Sequence, residues 1–180
     1  VGAAKNAETE FLRSKGRGDA ALISSGAVTW ILRPGLVIGQ GAYGGTGLLR
    51  MLAAVPVVQP LALGQAPVQS VALEDLAQAV VTAVEGQLPP GEYDLVEDSA
   101  QTLKDVVAET RKWLGFAPAR MTLAAPVWLV KLMGRGADQL GRFGWRSPMR
   151  STALQVLNLG ISGDPLPYRR ATGLVLRPLQ

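Results

Sequence analysis

The side chains able to do chemistry in this 180-residue chain are few, because it holds neither His nor Cys. Ser-His triads, thiolate nucleophiles, disulfides and the usual zinc or iron-sulfur ligand sets are thereby excluded, which leaves Lys, Tyr, Asp and Glu for acid-base work. Phe11 and Lys15 stand four apart. On a helix that spacing puts both on one face, a ring beside an ammonium. Gly39, Gly41 and Gly44 form a GxGxxG run after a strand-like segment and before a helix-like one, so a dinucleotide fingerprint is worth testing. It fails the test. No Asp or Glu lies between Asp19 and Glu74 to hold a ribose, and Pro34 separates the strand from the glycines where the fingerprint needs a tight turn. The run reads as a loop at the rim of a site, with Tyr43 on it.

These residues need elements to position them. Residues 5–26 read as a helix stopped by Ser24-Ser25-Gly26 and weakened near Gly16 and Gly18. Residues 28–32 form a continuous apolar run, the pattern of a strand buried on both faces in a parallel sheet, and Arg33-Pro34-Gly35 ends it. A helix is expected over residues 48–54, with short strands over 57–63 and 68–71. Residues 74–84 read as a helix opened by acidic residues, with an apolar stripe of Leu76, Val80, Val81 and Val84 and with Asp75 as a cap. A strand is expected over 93–96, then a capping box at Thr102-Leu103-Lys104-Asp105 opening a helix to about Leu114. Further helices are expected over 126–143 and 147–159, and the Pro- and Gly-rich tail after Gly163 reads as loop.

Strands alternating with helices indicate an α/β fold in the first hundred residues, followed by a mainly helical C-terminal region. The expected division is 1–100 and 101–180. At 48% hydrophobic and 18% charged, the composition suits a globular chain and opposes a disordered or fibrous one. No apolar run approaches the roughly 20 residues that span a bilayer, so a cytoplasmic protein is expected, membrane-associated only as part of a longer parent. The charge is uneven. From Lys131 onward, Lys131, Arg135, Arg142, Arg146, Arg150, Arg169, Arg170 and Arg177 face only Asp138 and Asp164. Such a region suits a membrane surface or a protein partner, the plainer alternative being a solvated face; a nucleic-acid partner is not expected.

Taken in order, Phe11-Leu12-Arg13-Ser14-Lys15, then Trp30-Ile31-Leu32-Arg33-Pro34 running on to Gly39, then Val68 to Ala77 resemble the extended and atypical short-chain dehydrogenase/reductases. The likeness is to their epimerase/dehydratase-like and NmrA-like members. It extends to Arg111 through Gly115, to Gly144 through Pro148 and to Gly163-Asp164-Pro165. What it implies is the C-terminal half of a Rossmann-like doubly wound parallel sheet, with the phosphate-binding glycines and the family's catalytic Ser falling upstream of Val1. The chain is thus expected to be a fragment, binding NAD or NADP weakly or not at all until the upstream half is supplied.

In the family, the Tyr of YxxxK is the acid-base group and the Lys holds the nicotinamide ribose. The resemblance places Phe11 at the Tyr position and Lys15 at the Lys position, and sets Pro34, Gly35, Leu36 and Val37 beside the nicotinamide. A phenyl ring has no proton to give. The reading that follows is a nucleotide-binding sensor or accessory protein with impaired redox chemistry. Its rivals are an active oxidoreductase or epimerase with a substitute acid-base residue, and a membrane-proximal scaffolding module.

Overall fold

The computed structural model describes residues 1–4, 6–42, 45–126, 128, 132, 134–136, 139 and 151–179. Two compact units are present: one of Val1–Gly39, Gln69–Ala100 and Ile161–Leu179, the other drawn from Gln40–Val68 and Gln101–Gly160.

The first unit opens with α1 (Glu10–Ser24). Its N-cap is Thr9, whose hydroxyl accepts from the Leu12 amide. Gly16 is buried on α1, and a Cβ there would stand 2.3 Å from the Ala4 carbonyl carbon. The glycine that looks like a helix weakness in sequence is what lets residues 1–4 lie against the helix. β1 (Trp30–Pro34) pairs in parallel with β6 (Gly91–Leu95), Trp30 opposite Gly91 and Pro34 opposite Leu95. β2 (Leu36–Ile38) pairs in parallel with β5 (Ser70–Ala72).

Gly35 joins β1 to β2 and changes the partner. Its amide donates to the Leu95 carbonyl, and the next amide, of Leu36, donates to Gln69. A Cβ at Gly35 would fall 2.4 Å from the Gln69 carbonyl oxygen, so the crossing needs glycine for closeness. Only Ile31 of β1 is fully buried, at 7% exposure. Both faces are covered: half-buried Trp30 and Leu32 pack against the core on one, and Ile31 and Arg33, of alternate facing, lie on the other, where Arg33 holds an ion pair with Asp19 of α1.

That core is built from Val71, Ala79, Ala83, Leu88, Tyr93, Leu95, Tyr168 and Leu176. Helix α3 (Leu73–Val84) turns Ala79, Thr82 and Ala83 inward, whereas Val80, Val81 and Val84 are exposed, Val84 to 81%. Of the expected stripe, Leu76 packs against the core, while the three valines lie one step off the buried face, where small residues let α3 sit close. The tail is also corrected. Residues Leu166–Thr172 form a helix, α6, with Pro165 as its N-cap and Gly173 in the left-handed conformation at its C-cap (φ +73°). Proline and glycine bound this helix instead of breaking it. It brings Tyr168, 2% exposed, edge-on to Tyr93 at 6.2 Å between centroids.

In the second unit, α2 (Gly45–Ala54) packs on α4 (Leu103–Trp113). The expected capping box is present: the Asp105 amide donates to the Thr102 hydroxyl, and the Thr102 amide donates back to the Asp105 carboxylate. β3 (Val58–Leu61) pairs in parallel with β8 (Met121–Ala124), a strand that sequence reading missed, and β4 (Pro67–Val68) pairs antiparallel with β7 (Gln101–Thr102). Val57, ahead of β3, is held at φ +61°, an uncommon state for a β-branched residue. Its carbonyl accepts from the Arg120 and Met121 amides, which fixes where β8 starts. A further helix, α5, covers Ser151–Leu159. The expected segment 126–143 falls mostly, and residues 144–150 wholly, outside the described residues, as does Tyr43.

Candidate functional site

Phe11 and Lys15 lie one turn apart on α1, the Lys15 Nζ 5.9 Å from the Phe11 ring centroid, and both are exposed. The contact is of cation-π type. Neighbouring charges are already engaged: Glu10 accepts from Arg17 at 2.7 Å and from Arg13 at 3.0 Å. Those two bonds, that of Arg17 first, hold the Glu10 carboxyl below the ordinary carboxylate range.

Pro34, Gly35, Leu36 and Val37 are half-buried at the point where the strand run changes partner. Two contacts tie this crossing to α1. The Val1 nitrogen donates to the Pro34 carbonyl at 3.0 Å, and Ala4, three residues on, lies against Gly16, the neighbour of Lys15. Arg33 bonds Asp19 of α1 through Nε at 3.0 Å and Nη2 at 2.8 Å, and also reaches Glu92. Residues 1–4 and the Arg33–Asp19 pair thus hold the Lys15 helix and the Pro34 crossing in one unit.

Behind the crossing sits a polar cluster that sequence reading missed. Glu97 is buried, and its Oε1 accepts from both the amide and the hydroxyl of Ser70, each at 2.8 Å, while Oε2 accepts from the Leu179 amide. Gln69 donates from Nε2 to the Glu97 carbonyl and accepts on Oε1 from the Gly163 amide. Asp75 takes a different role from the capping expected of it. The N-cap of α3 is Ala72, with no side-chain bond, and the Asp75 carboxylate accepts instead from the Arg177 amide and Nε. The Arg177 side-chain bond holds its pKa below the ordinary value. With Arg169 paired to Asp98, two of the three described tail arginines are neutralised within the unit, which removes part of the expected basic face.

The second unit carries a cleft of about 560 Å³ lined by Lys104, Lys112, Arg120, Arg111, Glu109 and Phe116 among others. No group of three or more acidic side chains able to hold a metal ion gathers among the described residues, and none of their helices is long and apolar enough to cross a membrane.

A scan of protein families and a search of curated proteins match nothing to this chain. Solved structures do match. One is the crystal structure of gox2253, at 16% identity and TM-score 0.61, covering 99% of this chain and 57% of that one. Another is the UDP-glucose 4-epimerase of Thermus thermophilus in complex with NAD, at 20% identity and TM-score 0.51, covering 86% and 55%. A third is Bordetella bronchiseptica WbmF in complex with NAD+, at 18% identity and TM-score 0.52, covering 92% and 54%. The fold is Rossmann-like.

The chain spans a little over half the length of each of these proteins. Within this Rossmann-like fold, the glycine run is packed at its first residue, where a Cβ on Gly39 would stand 3.1 Å from Leu73, and open at Gly41, where a Cβ would meet nothing within 4 Å; Arg50 donates to the Gln40 carbonyl. The buried Glu97 and the cleft carry no signature in a single sequence, because an isolated Glu or Arg reads the same whether solvated or enclosed.

Proposed function

We propose that this chain belongs to an atypical, NmrA-like or epimerase-like short-chain dehydrogenase/reductase, in which it supplies the nicotinamide end of an NAD or NADP site. What supports the reading is the placement of Lys15 on α1 and of Pro34–Val37 at the β1–β2 crossing, tied together through residues 1–4. Lys15 would donate to the nicotinamide ribose, and the backbone at Pro34, Gly35, Leu36 and Val37 would line the nicotinamide. NAD, when bound, supplies hydride transfer; Phe11 can neither give nor take the proton such a transfer needs. The protein is accordingly read as a nucleotide sensor or accessory protein, its small-molecule partner being the nucleotide. The similarity to a UDP-glucose 4-epimerase and to WbmF, both in complex with NAD, supports the cofactor class.

Saturation-transfer NMR of the chain with NADH tests this. Transfer is expected to the nicotinamide and its ribose and to weaken in Lys15→Met. Transfer confined to adenine, or indifferent to Lys15→Met, overturns it.

A further inference from the structure

The cleft of the second unit shares no residue with the proposed nucleotide site and has a chemistry of its own. Arg111 is only 7% exposed and has no carboxylate within ion-pair range among the described residues. Its Nη1 donates to the carbonyls of Ala53 and Val55, at the C-terminal end of α2, and its Nε donates to Ala117. A cation there suits the negative end of the helix dipole. Backbone carbonyls satisfy donors, yet they leave the positive charge without a counterion, a costly state for a buried group.

The third nitrogen, Nη2, donates to none of the described residues. No buried side-chain nitrogen or oxygen among those residues lacks a partner, so Nη2 is not sealed off from solvent. Around it the cleft holds Lys104, Lys112 and Arg120 against one acid, Glu109, which Lys112 approaches at 3.5 Å. With Arg111 counted, the lining is therefore three charges positive. Phe116, 44% exposed, adds an apolar wall over which the Arg111 guanidinium stands at 5.7 Å.

We infer that this cleft binds a small phosphorylated organic molecule. A phosphate carries up to two negative charges and several acceptor oxygens, which matches a fork-shaped donor flanked by ammonium and guanidinium groups; a single carboxylate would leave the lining cationic. The volume is that of a small-molecule pocket, and Phe116 offers its ring to the organic part. β3 and β8 form one wall, where Gln59 is fixed by its bond to the Leu52 carbonyl.

Phenyl phosphate and inorganic phosphate serve as probes, titrated calorimetrically into the 180-residue chain. Phenyl phosphate is expected to saturate one site with a dissociation constant of about 1 mM or tighter, to weaken as salt rises, and to bind severalfold tighter than inorganic phosphate. Arg111 itself supports α2, so the test falls on exposed residues. The Lys104→Gln/Arg120→Gln double variant should lose affinity about ten-fold or more, by removal of two charge-assisted contacts. Phe116→Ala should erase the preference for phenyl phosphate, and Arg169→Gln/Arg170→Gln should bind as the parent does. Absence of saturable binding, equal affinity for both probes, or unchanged affinity in the double variant each overturns the inference. Since none of these residues belongs to the nicotinamide reading, either can fail while the other stands.

Discussion

Gly16 and Ala4 are in such close backbone contact that a Cβ on Gly16 would overlap Ala4, with 2.3, 2.6 and 2.6 Å to its carbonyl carbon, Cα and oxygen. Nothing lies within 4 Å of the same position on Gly18, two residues along α1. Gly16→Ala should therefore destabilise the chain by about 1–3 kcal/mol through overpacking, despite its better helix propensity. Gly18→Ala should stabilise it by about 0.5–1 kcal/mol. Urea denaturation of both variants reads the contrast, and equal effects would contradict the contact.

Glu97 offers a prediction about polarity at constant shape. Both carboxylate oxygens accept from N–H or O–H groups, Oε1 from Ser70 and Oε2 from Leu179. In Glu97→Gln, either orientation of the amide sets an NH2 against a donor. A loss of about 1–3 kcal/mol is expected, the range for an unsatisfied buried polar group. Unchanged stability would show that the pocket re-forms around an amide.

The capping box at the start of α4 predicts a smaller, local loss. Thr102→Ala removes the acceptor for the Asp105 amide and should cost about 1 kcal/mol. Thr102→Ser, which keeps the oxygen, should recover most of it in the same denaturation assay.

Asp75 and Arg177 predict a pH dependence. The Arg177 side-chain bond lowers the folded pKa of Asp75 below its unfolded value, near 4. Its contribution is then fully present above about pH 4 and is lost as pH falls through the folded pKa. The stability gap between the wild type and Asp75→Asn should be widest at neutral pH and narrow toward pH 3. The effect is modest, since Arg177 is largely exposed. A gap that widens on acidification would reverse the assigned sign.

Phe11→Tyr bears on the chemistry. In a longer polypeptide that also carries a phosphate-binding glycine turn, the phenol would stand one turn from the Lys15 ammonium. A gain in hydride transfer to small carbonyls of about 10²-fold or more is expected, the scale of positioned acid-base groups. No gain alongside intact NAD binding would detach Phe11 from the catalytic position.

Local patterns were the legible part of this sequence. The Thr102–Asp105 box and the acidic opening of α3 depend on neighbours in the chain, and the structure has both where the pattern lies; the run expected over 28–32 does form a strand, but it is Trp30–Pro34, shifted past Val28 and through the Arg33 and Pro34 expected to end it. Features set by distant partners were not legible. The face of α3 depends on how near its small residues bring it to the core, α6 looked like loop because Pro165 and Gly173 read as breakers, and Asp75 looked like a cap because Arg177 lies 102 positions away. For the candidate site, Lys15 and Pro34 could be singled out, but not the Ala4–Gly16 contact that joins their elements.

The helix of residues Leu166–Thr172 also constrains how the polypeptide acquires its structure. Tyr168 and Leu176 complete a core whose other members come from residues 71–95, and bonds such as Gly163 to Gln69 and Arg177 to Asp75 close loops of 94 and 102 positions. Closing such loops is entropically costly, and high contact order slows folding. During synthesis the first unit must therefore wait, its hydrophobic interior open on one side, until residues 161–179 have left the ribosome. Over that interval it exposes apolar surface of the kind that chaperones and proteases act on, and a ribosome stalled shortly before that stretch would release a chain unable to close its core.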